Sequence, residues 1–298
     1  MITSGTSWTK TVADALHRAG SGVTQTGSSK WNLRLNNGLA LKATARIEEG
    51  WLFLDAPLRI GKKRRPIKPA RAWELLCCNA HVPCGCKFAL SPDARSVHVR
   101  MEVPLVAEQG DIAERIRDVC RGFGLASEMF RSRKARQCTD SRDSLPDPHP
   151  SEGRQDLRAL LTEADWPFVE RSNGMIVNLD VPNALYQATV EQHDERGIRV
   201  AVGFVSGESW SEECRNALGV LLLTASGIVR MARAAAEERN GRTDVRFEAI
   251  LEGPCCAPEL GHALSALSAA YRLCGSESKA LQDEVLAEEY LSVRGWFS

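Results

Sequence analysis

The chain carries one stretch of sequence twice. Val97-His-Val-Arg-Met-Glu-Val-Pro-Leu105 aligns with Thr243-Asp-Val-Arg-Phe-Glu-Ala-Ile-Leu251 at an offset of 146 residues, and Val99, Arg100, Glu102 and Leu105 recur unchanged. Carried upstream without a gap, the offset pairs Leu75 and Leu76 with Leu221 and Leu222, Val82 with Ile228, Lys87 with Arg233 and Ala89 with Ala235. Between Leu75 and Leu105 that makes seven identities in 31 positions, where about two would arise from ordinary composition. Farther upstream Asn32-Leu33 matches Asn178-Leu179. Downstream the offset becomes 148, with Ile112, Ile116, Val119 and Phe123 facing Leu260, Leu264, Leu267 and Tyr271 at helical spacing. A chain of 298 residues can be one large domain or two ordinary ones, and a repeat on this scale selects two.

Residues 1–130 form module one and 155–276 module two, with a C-terminal helix and tail over 277–298. Between the modules, 131–154 contains Leu145-Pro-Asp-Pro-His-Pro150 and almost nothing apolar, which reads as a flexible linker. In module one the periodicity predicts a helix over Trp8 to Ala19. Strands are predicted over Trp31 to Leu35, Leu39 to Ile47 and Trp51 to Leu58, separated by the turn sequences Asn36-Asn37-Gly38 and Glu48-Glu49-Gly50. A helix over Ala70 to Ala80, a strand near Cys84, a strand from Val97 to Leu105 and a helix from Asp111 follow. The expected class is α+β, each module holding an antiparallel sheet packed by helices, with each apolar helix hidden against its own sheet. Module two repeats the order, with helices near Asp156 to Ala164, Glu212 to Gly227 and Pro258 to Cys274. A further helix over Ser278 to Ser292 should bury Leu281, Val285 and Leu286.

The 38 Lys plus Arg balance 38 Asp plus Glu, so no overall field draws the chain to nucleic acid or to an anionic membrane. The most apolar run, Ala217 to Val229, has 13 residues before Arg230 and is shorter than the roughly 20 a spanning helix needs. The first ten residues lack the apolar run of an export signal. A cytoplasmic location with free thiols is the expectation.

Helix, three strands, helix, two strands, helix, together with the recurrent Val-Arg-Met-Glu and Val-Arg-Phe-Glu strands, resembles the type III secretion chaperone-like fold, shared by small effector chaperones and YbjN-type domains. The resemblance covers both halves. It implies a chaperone homodimer fused into one chain, monomeric as an intramolecular pseudo-dimer, that binds an extended segment of a partner protein. It also implies that Leu75, Leu76, Leu221 and Leu222 lie near a pseudo-twofold seam and that no cofactor is needed. The family's chaperones are small and acidic, whereas this chain is neutral and twice as long.

Further candidates come from the residues themselves. Lys62, Lys63, Arg64 and Arg65 correspond in the repeat to the acidic segment Gly207 to Glu213 of the second copy, of opposite charge. They are candidates for contact with that segment or with an acidic partner. Trp296 and Phe297 are aromatics at a chain end, suited to docking in a groove. Cys77, His81, Cys84 and Cys86 could hold zinc, which would make the chain a metal-binding regulatory protein or an enzyme. The second copy has no ligands there, and cysteine also packs as a small hydrophobe. No Gly-x-Ser-x-Gly, phosphate-binding Gly-Lys-Ser/Thr or His-Glu-x-x-His motif is present, so the expected activity is binding rather than catalysis.

Overall fold

The computed structural model describes residues 5–19, 22–36, 40–58, 67–82, 85–106, 116, 122, 126, 130, 155–181, 184–193, 197–208 and 210–294. Module one comprises α1 (Gly5–Ala19), β1 (Gly22–Gly27), β2 (Lys30–Asn36), β3 (Ala40–Glu48), β4 (Trp51–Leu58), α2 (Pro69–Asn79), β5 (Lys87–Leu90) and β6 (Val97–Pro104). Module two comprises α3 (Leu157–Glu163), β7 (Phe168–Arg171), β8 (Gly174–Val181), β9 (Ala184–His193), β10 (Gly197–Glu208), α4 (Glu212–Ile228), β11 (Arg233–Arg239), β12 (Arg242–Leu251), α5 (Ala257–Ala280) and α6 (Glu284–Val293). Of the helix expected from Asp111, Ile116, Gly122, Ala126 and Phe130 are helical. The other residues of that helix, and the linker 131–154, lie outside the described residues.

Local chemistry accounts for the element ends. Asp156, Ser211 and Asp283 cap α3, α4 and α6 with side-chain oxygens that accept the first free N–H groups. Pro69 opens α2, where a missing N–H costs nothing. Glu49-Gly50 and Asn240-Gly241, all at positive φ, turn β3 into β4 and β11 into β12. Along β4 Leu52, Leu54, Ala56 and Leu58 are buried at every second position, the signature of a strand with one face on the core.

Each sheet has six antiparallel strands, ordered β1-β2-β3-β4-β6-β5 in one and β11-β12-β10-β9-β8-β7 in the other. Four strands precede the second helix, not three. The additional one, β1, carries a single branched apolar residue, Val23, and is mostly exposed, so no alternation betrays it. The strand expected near Cys84 begins at Lys87. The segment from Ser278 still belongs to α5, which ends at Ala280, and α6 starts only after Asp283. There Val285 is 72% and Leu286 44% exposed, while Leu281, Ala287 and Leu291 are buried. The expected apolar face was therefore wrong in two of its three positions.

The strand registers also relocate the change of offset. Lys87 lies opposite Arg100 in the first sheet, but Arg233 lies opposite Glu248 in the second. With β5 and β11 equivalent at 146 residues, β12 is equivalent to β6 at 148. A shift of two residues leaves every side chain on its original face, so the repeated letters survive while their cross-strand partners change.

The helices do not keep to their own sheets. α2 and α4 pack side by side, and α2 lies more against β11 than against β5, while α4 lies more against β5 than against β11. The two inner edge strands are thereby covered by the opposite module, which removes an exposed row of unpaired N–H and C=O groups. Asn79, wholly buried at the end of α2, donates from Nδ2 to Phe88 O of β5 and Ala234 O of β11 at 3.1 and 2.9 Å. α5 behaves as expected, lying across β8, β10 and β12 of its own sheet.

The approach of α2 and α4 depends on Gly219, where a Cβ would stand 2.6 Å from Trp73 N and 2.8 Å from its Cα. Alanine is the better helix former by about 1 kcal/mol. Gly219→Ala is nevertheless expected to destabilise the protein by about 1–3 kcal/mol, because backbone cannot retreat as a side-chain tip can. Urea denaturation of the variant checks the sign.

Candidate functional site

The seam is closed by the same polar arrangement made twice. Lys87, wholly buried, lies 2.9 Å from Glu102 and donates to Val229 O and Ala232 O of module two at 2.6 and 3.2 Å. Its counterpart Arg233 lies 2.9 Å from Glu248 and donates to Val82 O and Cys86 O of module one at 2.5 and 2.7 Å. Burial pulls the Lys87 ammonium below its ordinary range, against the attraction of Glu102. Burial pushes the Glu248 carboxyl up, but Arg233 and Arg246 outweigh it and hold the carboxyl below the ordinary range. A guanidinium stays charged in such a site and an ammonium does so less readily, so the two halves of the lock are not equal.

Leu75, Leu76, Leu221 and Leu222 stand on α2 and α4, the two helices that pack side by side, and are buried at 0, 0, 7 and 0% exposure. They are not on a surface that a partner could touch. Lys62, Lys63, Arg64 and Arg65 lie outside the described residues, as do Trp296, Phe297 and Cys84. Of the zinc candidates, His81 is exposed, Cys86 is wholly buried and Cys77 half-buried. Burial, with Glu238 adding to it, pushes the Cys77 thiol up to about 12, away from the thiolate a metal requires. Among the described residues no three His, Cys, Asp or Glu side chains gather as a metal site, and no helix is long and apolar enough to cross a membrane.

Two strand edges lie accessible at the outer rims. Among the described residues β1 and β7 each pair with one neighbour only. On β7, Val169 is 60% exposed. Two residues before β7, Trp166 lines an open cleft of about 550 Å3 with Ser265, Ser268, Ala269, Arg272 and Leu273 of α5, and Leu273 is itself 44% exposed. The turn that presents Trp166 is sharp: Asp165 sits at φ 56°, and Trp166 N–H bonds back to Leu161 O at 3.0 Å. The free edge offers backbone hydrogen bonds, and the cleft beside it offers room for an apolar side chain. Sequence reading missed this site. Its one signal was Trp166-Pro167-Phe168, two aromatics around a proline directly after a short helix.

Comparison with family models, curated proteins and solved structures finds no match to this chain.

Proposed function

We propose that the protein binds an extended segment of another protein by adding it as a seventh strand beside β7, with an apolar side chain of that segment seated against Trp166 and Leu273. The observation that carries this reading is that β7, which among the described residues pairs with β8 alone, starts two residues after Trp166 of the cleft of about 550 Å3, a combination that joins main-chain affinity to a side-chain pocket. The resemblance to secretion chaperones, which wrap extended segments of their clients, supports it. A seam already satisfied within one chain supports a monomeric binder.

Selection of peptides from a displayed random library on the full chain tests the proposal. Selected peptides should carry a large apolar residue in an otherwise extended, β-prone sequence. They should slow amide exchange over residues 168–171 and bind Trp166→Ala at least about tenfold more weakly, as expected for loss of an aromatic anchor. Peptides that bind without protecting β7, and with equal affinity to Trp166→Ala, would overturn it.

A further inference from the structure

Module one holds a chain of hydrogen bonds apart from the β7 cleft, tied to module two through Arg100. Ser96 Oγ lies 2.8 Å from His98 Nε2, and His98 Nδ1 lies 3.1 Å from both Asp55 oxygens. Ser96 and His98 share a face around the start of β6 because they are two residues apart; Asp55 reaches across from β4. Asp55 is in turn fixed by Arg100 Nε at 2.8 Å, and Arg100 Nη1 is anchored on Gly227 O at 2.7 Å. We propose that Ser96, His98 and Asp55 form an acyl-transfer site for short, activated acyl esters, with Ser96 as nucleophile, His98 as general base and Asp55 as the group that orients the imidazole. The proposal is independent of the partner-binding reading and lies in the other module.

The roles follow from proton bookkeeping. Burial raises the Asp55 carboxyl, but His98 and Arg100 more than offset it and hold it below its ordinary range, so Asp55 is an acceptor at neutral pH. The proton between the two residues then sits on His98 Nδ1, and in the neutral imidazole Nε2 is the acceptor of the Ser96 hydroxyl. All three side chains are half-buried rather than sealed. Ser96 is also held by its backbone: its N–H donates to Ser91 Oγ at 3.0 Å, and its C=O accepts from Ser91 N–H at 2.9 Å. Two residues earlier Ala94 sits at φ 51°, a strained conformation for a residue with a Cβ.

In the forward step Ser96 Oγ bonds to the acyl carbon while its proton passes to His98 Nε2. The bond from that carbon to the leaving oxygen then breaks, and His98 returns the proton to the departing alcohol or phenol. In the second half water attacks the acyl-serine, His98 takes a proton from the water, and Ser96 leaves with that proton as the free acid departs. The Ser96 N–H is committed to Ser91, so it does not serve the developing oxyanion. A missing oxyanion donor costs about 10²–10³ in rate. The site should therefore acylate slowly and favour good leaving groups.

The second module serves as an internal control. By strand pairing, the positions equivalent to Asp55, Ser96 and His98 are Ala201, Asp244 and Arg246, and the sheet forms there without the chain of hydrogen bonds. The fold does not need these three residues, whereas the buried cation and glutamate are present in both copies.

The test is labelling of the full chain with a fluorophosphonate probe and, in parallel, turnover of p-nitrophenyl acetate, with the labelled peptide located by mass spectrometry. One equivalent should go to Ser96, with a burst of p-nitrophenol. Ser96→Ala, which removes one oxygen, should abolish the label at unchanged thermal midpoint. His98→Ala should slow labelling by about 10²-fold or more. Labelling on other residues, labelling of Ser96 no faster than of free serine, or a rate indifferent to His98→Ala would overturn the proposal. Should His98→Ala fail to fold, the labelled position and Ser96→Ala still decide it.

Discussion

Arg233→Ala is expected to lower the unfolding free energy by about 3 kcal/mol, near the lower end of the roughly 3–5 kcal/mol seen when one partner of a buried ion pair is removed. Both partners are inside: the side chains of Arg233 and Glu248 are 4% and 1% exposed. Arg246 stays 2.8 Å from the remaining carboxylate, which is why the upper end is not expected. The loss does not stop at the carboxylate, because Val82 O and Cys86 O of the other module lose their donor as well. Arg233→Lys should cost much less, since Lys87 fills the equivalent place in module one. The pH dependence carries a definite sign. The Glu248 carboxyl is depressed in the folded state, so its contribution is complete above the ordinary glutamate range and fades as pH falls below it. Guanidinium denaturation at pH 7 and pH 4 should show a smaller acid destabilisation in Arg233→Ala than in the parent. A loss at pH 7 below about 1 kcal/mol, the level of an exposed pair, would show that the lock contributes no more than a surface ion pair.

The features legible in the sequence were those set by local pattern. The α4 run from Ala217 and the Glu49-Gly50 turn each follow from neighbours within a few residues, and the repeat from comparing two such local stretches. Lys87 and Arg233 were readable as equivalent positions but not as buried ones. A cation in a strand normally faces water, and these two are inside only because carbonyls some 140 to 150 residues away accept from them. The exchange of α2 and α4 was hidden for a related reason: an apolar stripe on a helix states that a sheet must cover it but not which of two near-identical sheets. The Ser96-His98-Asp55 chain has no sequence motif, since its carboxylate stands on a different strand. The β7 cleft is likewise assembled by a turn and a helix about a hundred residues apart.

The helix exchange makes a stronger demand than any single substitution. Each module alone would expose the helix face that the other now covers: Leu75, Leu76 and Cys78 on α2, and Leu218, Leu222 and Leu223 on α4. It would also expose β5 or β11 as an open strand edge, and leave Lys87 or Arg233 without its carbonyl acceptors. Burial of a leucine side chain is worth about 1.5–3 kcal/mol, so uncovering two or three of them in each half removes an amount comparable with the total stability of about 5–15 kcal/mol of an ordinary domain. Residues 1–130 and 155–298, produced as separate chains, are therefore expected to bind apolar dye strongly and to lack a cooperative thermal transition as isolated monomers. Mixed in equal amounts, they should associate, lose dye fluorescence and recover one transition whose midpoint rises with concentration, as mass action requires for a two-chain assembly. Arg233→Ala in the second fragment should weaken that association by the same free energy that it removes from the intact chain. A half that stays monomeric, binds no dye and unfolds cooperatively would show that the exchanged helices are not what stabilises it.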